Sequence, residues 1–134
     1  MSVFVWPTRV YWEDTDGGGV VYYANYLRFL ERSRTEWLRA HGFTQSALAV
    51  NPGVLFSVVE ASIRYLKPAR LDDLLYVSCS PMVSGAASLV FTQEVRRGTE
   101  HGEVLAHATV KVVCVSAATF KVRRLPSAIL KELN

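Results

Sequence analysis

A single change of hydrophobic period restricts the fold more than any other feature of this sequence. From about Tyr22 to His41, Tyr26, Phe29, Leu30, Ser33, Trp37 and Ala40 fall on one helical stripe, while Arg28, Arg32, Thr35 and Arg39 take the other side. Gly42 stands just after the last periodic residue, where a helix C-terminal glycine belongs. After Asn51-Pro52-Gly53, a strong turn signal, the pattern is that of strands, at roughly 54 to 66, 73 to 83, 87 to 97 and 103 to 115. Lys67-Pro68-Ala69, Gly85 and Arg97-Gly98 separate them, and His107, Thr109 and Lys111 recur at period two in the last. A further strand is predicted from Val3 to Trp12, with Pro7 suiting an edge or an entry bend.

One long helix followed by a meander of long strands implies an α+β fold, an antiparallel sheet of about five strands with one face on the helix. The connections are too short for parallel crossovers. A chain of 134 residues has room for one core, so 1–134 is expected to be a single domain. Half of its residues are hydrophobic and 11% aromatic, enough to fill that core. One helix leaves the rest of the sheet and its edges short of partners, so at least a dimer is expected.

The net charge of +3 comes from scattered side chains without a polybasic run, which argues against nucleic acid as a partner. A mildly basic balance also suits a phosphorylated small molecule. Cys79 and Cys114 lie in apolar strand-like runs, outside any C-x-x-C pair, and read as reduced core residues. The start of the chain lacks a basic n-region, and no segment approaches ~18 consecutive apolar residues. A soluble, cytoplasmic protein with no transmembrane segment is expected.

The chemistry is concentrated in Glu13-Asp14-Thr15-Asp16-Gly17-Gly18-Gly19-Val20-Val21-Tyr22-Tyr23-Ala24-Asn25-Tyr26, where two acids and three glycines precede the long helix. Glycines let backbone approach a ligand, and a helix start offers unpaired N–H groups with partial positive charge, suited to a developing oxyanion. On this ground Gly19 and its neighbour Val20 are candidate substrate contacts. Asp14 and Asp16 could equally be loop and capping residues. A calcium loop fails at its fifth position, Gly18, and at its twelfth, Asn25. A nucleotide-binding fingerprint fails because the third glycine and the βαβ context are missing.

Over essentially the whole chain these residues resemble the YbgC-type, Tol-Pal-associated acyl-CoA thioesterases, and are similar to 4-hydroxybenzoyl-CoA thioesterase. The resemblance rests on Arg-Val-Tyr-Trp-Glu-Asp-Thr-Asp-Gly-Gly-Gly-Val-Val-Tyr-Tyr-Ala-Asn-Tyr, and continues through Glu-Arg-Ser-Arg-Thr-Glu-Trp-Leu-Arg, Lys-Pro-Ala-Arg-Leu-Asp-Asp, Ser-Leu-Val-Phe-Thr-Gln, Val-Val-Cys-Val and Arg-Leu-Pro. It implies a hotdog fold in which paired subunits share one sheet, often as a dimer of dimers or homotetramer, with the site at the subunit interface. It also implies Asp16 as the catalytic carboxylate and the N–H of Tyr23 as donor to the thioester carbonyl. Tyr23 stands where YbgC-type members carry His, and Trp12 where they carry Tyr; the first change resembles the hydroxybenzoyl-CoA branch.

The expected reaction is hydrolysis of a small acyl-CoA to free acid and CoA, with Asp16 as general base or as nucleophile. No metal or organic cofactor is implied, coenzyme A being part of the substrate. His41, His101 and His107 lack metal-ligand spacing, and no serine has a G-x-S-x-G context. Lys67 and Arg70 flank a turn and could reach a nucleotide phosphate, or could simply be solvated. Two other classes stay open: a hotdog dehydratase, although no His lies in the loop or early helix, and a non-catalytic module binding acyl-CoA or acyl carrier protein.

Overall fold

The helix forms because its apolar residues recur on one face and glycine ends it. In the computed structural model, which describes residues 3–133, helix α1 spans Tyr26–Ala40 and buries Tyr26, Phe29, Leu30, Ser33, Trp37 and Leu38. Leu38 takes the place expected of Ala40, which is exposed. Gly42, at φ +90°, allows the N–H of Phe43 to reach back to the carbonyl of Leu38 at 3.1 Å. The helix begins later than its periodicity suggested: Tyr22 is extended, and a 3-10 turn over Tyr23–Asn25 leads into α1.

Five strands, β1 (Phe4–Arg9), β2 (Val54–Tyr65), β3 (Leu74–Gly85), β4 (Ser88–Arg97) and β5 (Val104–Ser116), make one antiparallel sheet in the order β1-β3-β4-β5-β2. Only β3, β4 and β5 form the expected meander. Strand β2 lies instead at the far edge against β5, because the eight residues between β2 and β3 reach across roughly 14 Å of intervening strands. Pro7 sits in edge strand β1, where its missing N–H costs no ladder bond. Two short helices, α2 (Gln45–Val50) and α3 (Ser127–Glu132), were not expected. The residues expected to form a strand beyond Arg9 include a 3-10 turn at Trp12–Asp14.

The core is the sandwich between α1 and the inner sheet face. Leu75 and Val77 of β3, Leu89, Phe91 and Val95 of β4, and Leu105, Val110 and Val112 of β5 are buried there. Fully burying one such side chain contributes about 1.5–3 kcal/mol. Ser33 lets the helix approach closely and donates its hydroxyl to the Val77 carbonyl at 2.8 Å. Gln93, fully buried, donates to the carbonyls of Leu30 and Ser78. The opposite face is polar, pairing Glu60 with Lys111, Ser62 with Thr109 and Glu94 with His107 across strands. Among the described residues, no helix is long and apolar enough to cross a membrane.

Candidate active site

The glycine loop is a short hairpin folded onto the start of the helix. Thr15 bridges Val21, and the N–H of Asp16 donates to the Val20 carbonyl at 3.1 Å. Gly17 and Gly19 make the reversal at φ +89° and +83°, a conformation that side-chain-bearing residues rarely adopt. Gly18 is constrained by a close approach instead. A Cβ there would come 3.1 Å from Oδ1 of Asp16, the atom that accepts the Gly18 N–H at 2.8 Å.

The two acids stand in different surroundings. Asp14 is 3% exposed, its Oδ2 accepts the Tyr11 N–H at 2.8 Å, and its carbonyl accepts from the Tyr22 N–H and the Asn25 side-chain amide at 3.0 and 2.9 Å. It clamps the loop base to the helix start. Asp16 is exposed at the tip, with one oxygen turned inward to the loop.

Tyr23 opens the 3-10 turn, so its N–H has no acceptor within the turn. The peptide carrying that N–H is fixed from its other end, where the Tyr22 carbonyl accepts from the Asn25 N–H at 2.8 Å. The next peptide is held too: the Tyr65 hydroxyl donates to the Tyr23 carbonyl at 2.9 Å. No acid lies in the first turn of α1, leaving the positive helix end unneutralised by its own residues.

Residues singled out far apart in the sequence meet here. Val20 bridges Arg70, the Val21 N–H donates to the Ala69 carbonyl at 2.8 Å and the Leu71 N–H to the Gly19 carbonyl at 3.0 Å. The segment after β2 therefore runs alongside the glycine loop. A cleft of about 270 Å³ opens there between Val21, Tyr23, Tyr26, Tyr65 and Lys67. Asp16, Gly19, Val20, Tyr23 and Arg70 thus share one end of the molecule. Lys67 is at the cleft too, but its ammonium is paired with Glu103 at 3.0 Å.

Aromatic rings surround the cleft, with Tyr23 63% and Tyr65 46% exposed. Tyr22 packs against Tyr23 at 4.9 Å and Tyr65 against Tyr26 at 5.1 Å. Hydrogen bonding with the Tyr23 phenol pushes the Tyr22 phenol pKa upward, and burial does the same at Tyr65 and Tyr26. Tyr65 and Asn25 were missed from the sequence, whereas Asp14 holds loop backbone as a loop and capping residue would. A reader of the sequence could have paired Asn25 with the loop through the motif that both share, but nothing local marks Tyr65.

The histidines lie elsewhere. His41 contacts the Trp37 carbonyl at the end of α1, His101 lies beside Glu100, and His107 beside Glu94 on the outer sheet face. Among the described residues no group of three or more His, Cys, Asp or Glu is placed to hold a metal ion.

Residues 18–104 match the family described as Thioesterase superfamily. The chain is 46% identical over 133 residues to the acyl-CoA thioester hydrolase YbgC of Escherichia coli O6:H1, covering 99% of this chain and 97% of that protein. It is 33% identical to a 1,4-dihydroxy-2-naphthoyl-CoA hydrolase of Nostoc punctiforme, over 98% of this chain and 86% of that one. The crystal structure of Slr0204, a 1,4-dihydroxy-2-naphthoyl-CoA thioesterase from Synechocystis, superimposes with a TM-score of 0.89 at 26% identity, covering 98% and 96% of the two chains. The five-stranded antiparallel sheet with its long helix is the hotdog arrangement expected from the sequence.

Proposed function

We propose, from the premise that this chain belongs to the thioesterase superfamily, that it hydrolyses acyl-CoA thioesters with Asp16 as its carboxylate and the N–H of Tyr23 as its oxyanion donor. The observation that carries this reading is a glycine loop with an exposed carboxylate, tied at its base to a helix start whose first N–H has no acceptor in the turn. Asn25 and Asp14 tie the loop to the helix start, so neither group needs to be reorganised when substrate arrives.

In this mechanism the thioester carbonyl accepts from the Tyr23 N–H. Water adds to the carbonyl carbon as Asp16 takes its proton, the carbon–sulfur bond breaks, and the proton passes to the departing CoA sulfur. Direct attack by Asp16 would give a mixed anhydride that water then opens. An oxyanion donor of this kind contributes about 2.7–4 kcal/mol to lowering the barrier. Val20 and Gly19 border the acyl thioester, and Arg70 is the better placed of the two basic residues to meet a CoA phosphate, since Lys67 already holds Glu103.

The working unit in this account is at least a dimer joined through β2. That strand is an edge of twelve residues, and Val58, Val59 and Tyr65 on it are 49%, 57% and 46% exposed. A dimer of dimers would build on the same pair. A cytoplasmic location is supported by two buried, unpaired cysteines.

Thiol release from a panel of acyl-CoA compounds tests the reading. Turnover with free CoA and free acid as products is expected. Binding without thiol release would mark a non-catalytic module for acyl-CoA or acyl carrier protein, and an altered acyl group still joined to CoA would mark a dehydratase.

A further inference from the structure

The 3-10 turn that carries the proposed oxyanion donor is gripped by a side chain from outside the glycine motif. Tyr65, the last residue of β2, donates its hydroxyl to the Tyr23 carbonyl at 2.9 Å. We infer that Tyr65 is a positioning residue for thioester hydrolysis, its hydroxyl fixing the Tyr23–Ala24 peptide so that the neighbouring Tyr23 N–H meets the thioester oxygen without reorganisation. The inference rests on the thioesterase reading and adds a residue to it, one that acts through the donor and not on the substrate.

The backbone alone holds this turn weakly, because 3-10 hydrogen bonds are poorly aligned. The Tyr22–Tyr23 peptide is fixed at its carbonyl by the Asn25 N–H at 2.8 Å, which leaves its own N–H for substrate. The next peptide begins at the Tyr23 carbonyl, which accepts from the Tyr26 N–H inside the turn and from Tyr65 outside it. Each peptide is planar, so setting the two planes that meet at the Tyr23 Cα also sets its φ and ψ and the direction of its N–H. Polarisation acts in the same sense. The peptide that Tyr65 holds carries the N–H of Ala24, which has no acceptor within the turn, and a bond accepted at the carbonyl strengthens that N–H as a donor. The helix start therefore offers the site a more positive end.

Tyr65 is itself braced from root to tip. Its backbone pairs with Ala106 in the sheet, and just beyond it the N–H groups of Leu66 and Lys67 both reach the Leu105 carbonyl, at 2.8 and 3.1 Å. Its ring stands edge-on to Tyr26 at 5.1 Å and to Tyr23 at 6.3 Å. Tyr26 is a firm support, only 3% exposed and with its hydroxyl accepting the Ala69 N–H at 3.0 Å. A phenol held in this way gives up little further freedom when it bonds. Burial pushes its pKa upward, so it stays a protonated donor at neutral pH.

Tyr65→Phe keeps the ring contacts and deletes only the donor. Losing an oxyanion donor outright costs about 10²–10³ in kcat, so losing the group that fixes one is expected to cost less, about tenfold. KM should stay within about twofold of wild type, measured on whichever acyl-CoA of the panel the wild-type enzyme turns over fastest. Tyr65→Met serves should the phenylalanine variant fail to fold. A second readout is spectroscopic. Asp16→Asn retains its substrate unhydrolysed, and the infrared stretch of an isotope-labelled thioester carbonyl bound to it should lie below that of the free ligand. Adding Tyr65→Phe should move the band back toward the free position, whereas a side chain that merely packs would leave it in place. Wild-type kcat in the folded variant overturns the inference, as does an unmoved band or a raised KM at unchanged kcat. A limb lost from the pH profile of kcat would also overturn it, by giving the phenol a proton transfer. Absence of thiol release by the wild-type enzyme would remove the thioesterase reading and this inference together, whereas the Tyr65 results remove this inference alone.

Discussion

At the scale of single residues, two acids separated by one position differ in what holds them, and the proposed reading gives them different work. Asp14 is buried and spends its side chain and carbonyl on backbone and amide donors, whereas Asp16 is exposed at the loop tip. Tyr23 acts through its peptide in this account, its ring lying exposed beside Tyr22. Tyr23→Phe is therefore expected to keep most of the wild-type kcat/KM. A loss of a hundredfold or more, about 2.7 kcal/mol of barrier, would assign chemistry to the phenol. The placement of Asp16 on a glycine loop and of Tyr23 at a helix start was legible because glycines, acids and the helix start are contiguous in the chain. Tyr65 was not, since its bond to the Tyr23 carbonyl spans 42 positions and has no local signature.

At the scale of elements, period-two and period-3.6 patterns placed the strands and α1 to within a few residues. The start of α1 was set too early because Tyr22 and Tyr23 belong by composition to the helix, while the clamp at Asp14 keeps Tyr22 extended. Helices α2 and α3, six residues each, are shorter than two turns and leave no periodic signal. The partner of β2 was illegible because strand pairing is a property of the whole sheet. Cys79 of β3 shows what burial in that sheet does to a titratable group, its thiol pushed from an ordinary 9.0 up to about 12. The unfolded chain then releases this proton at lower pH than the folded chain does. Stability from this source is intact below pH 9 and falls as pH rises toward 12. Denaturant unfolding between pH 8 and pH 11 should show that decline, and Cys79→Ala should make it shallower; an unchanged slope would contradict it.

At the scale of the whole molecule, β2 is a twelve-residue edge of the sheet, and in the proposed reading function belongs to the pair that this edge would join. Dilution followed by sedimentation should show activity lost together with the dimer, and a fully active monomer would contradict the shared site. The central claim is narrower: the carboxylate of Asp16 performs the hydrolysis. Asp16→Asn keeps the shape and the oxygen that accepts from Gly18, yet removes basicity and nucleophilicity. The decisive measurement is steady-state thiol release by that variant, with folding confirmed by thermal melting and Asp14→Asn as the comparator for damage to the loop. Substrate binding preserved with kcat lowered by roughly 10² to 10⁴ is the result predicted, and a folded Asp16→Asn enzyme turning over at near the wild-type rate would contradict the account.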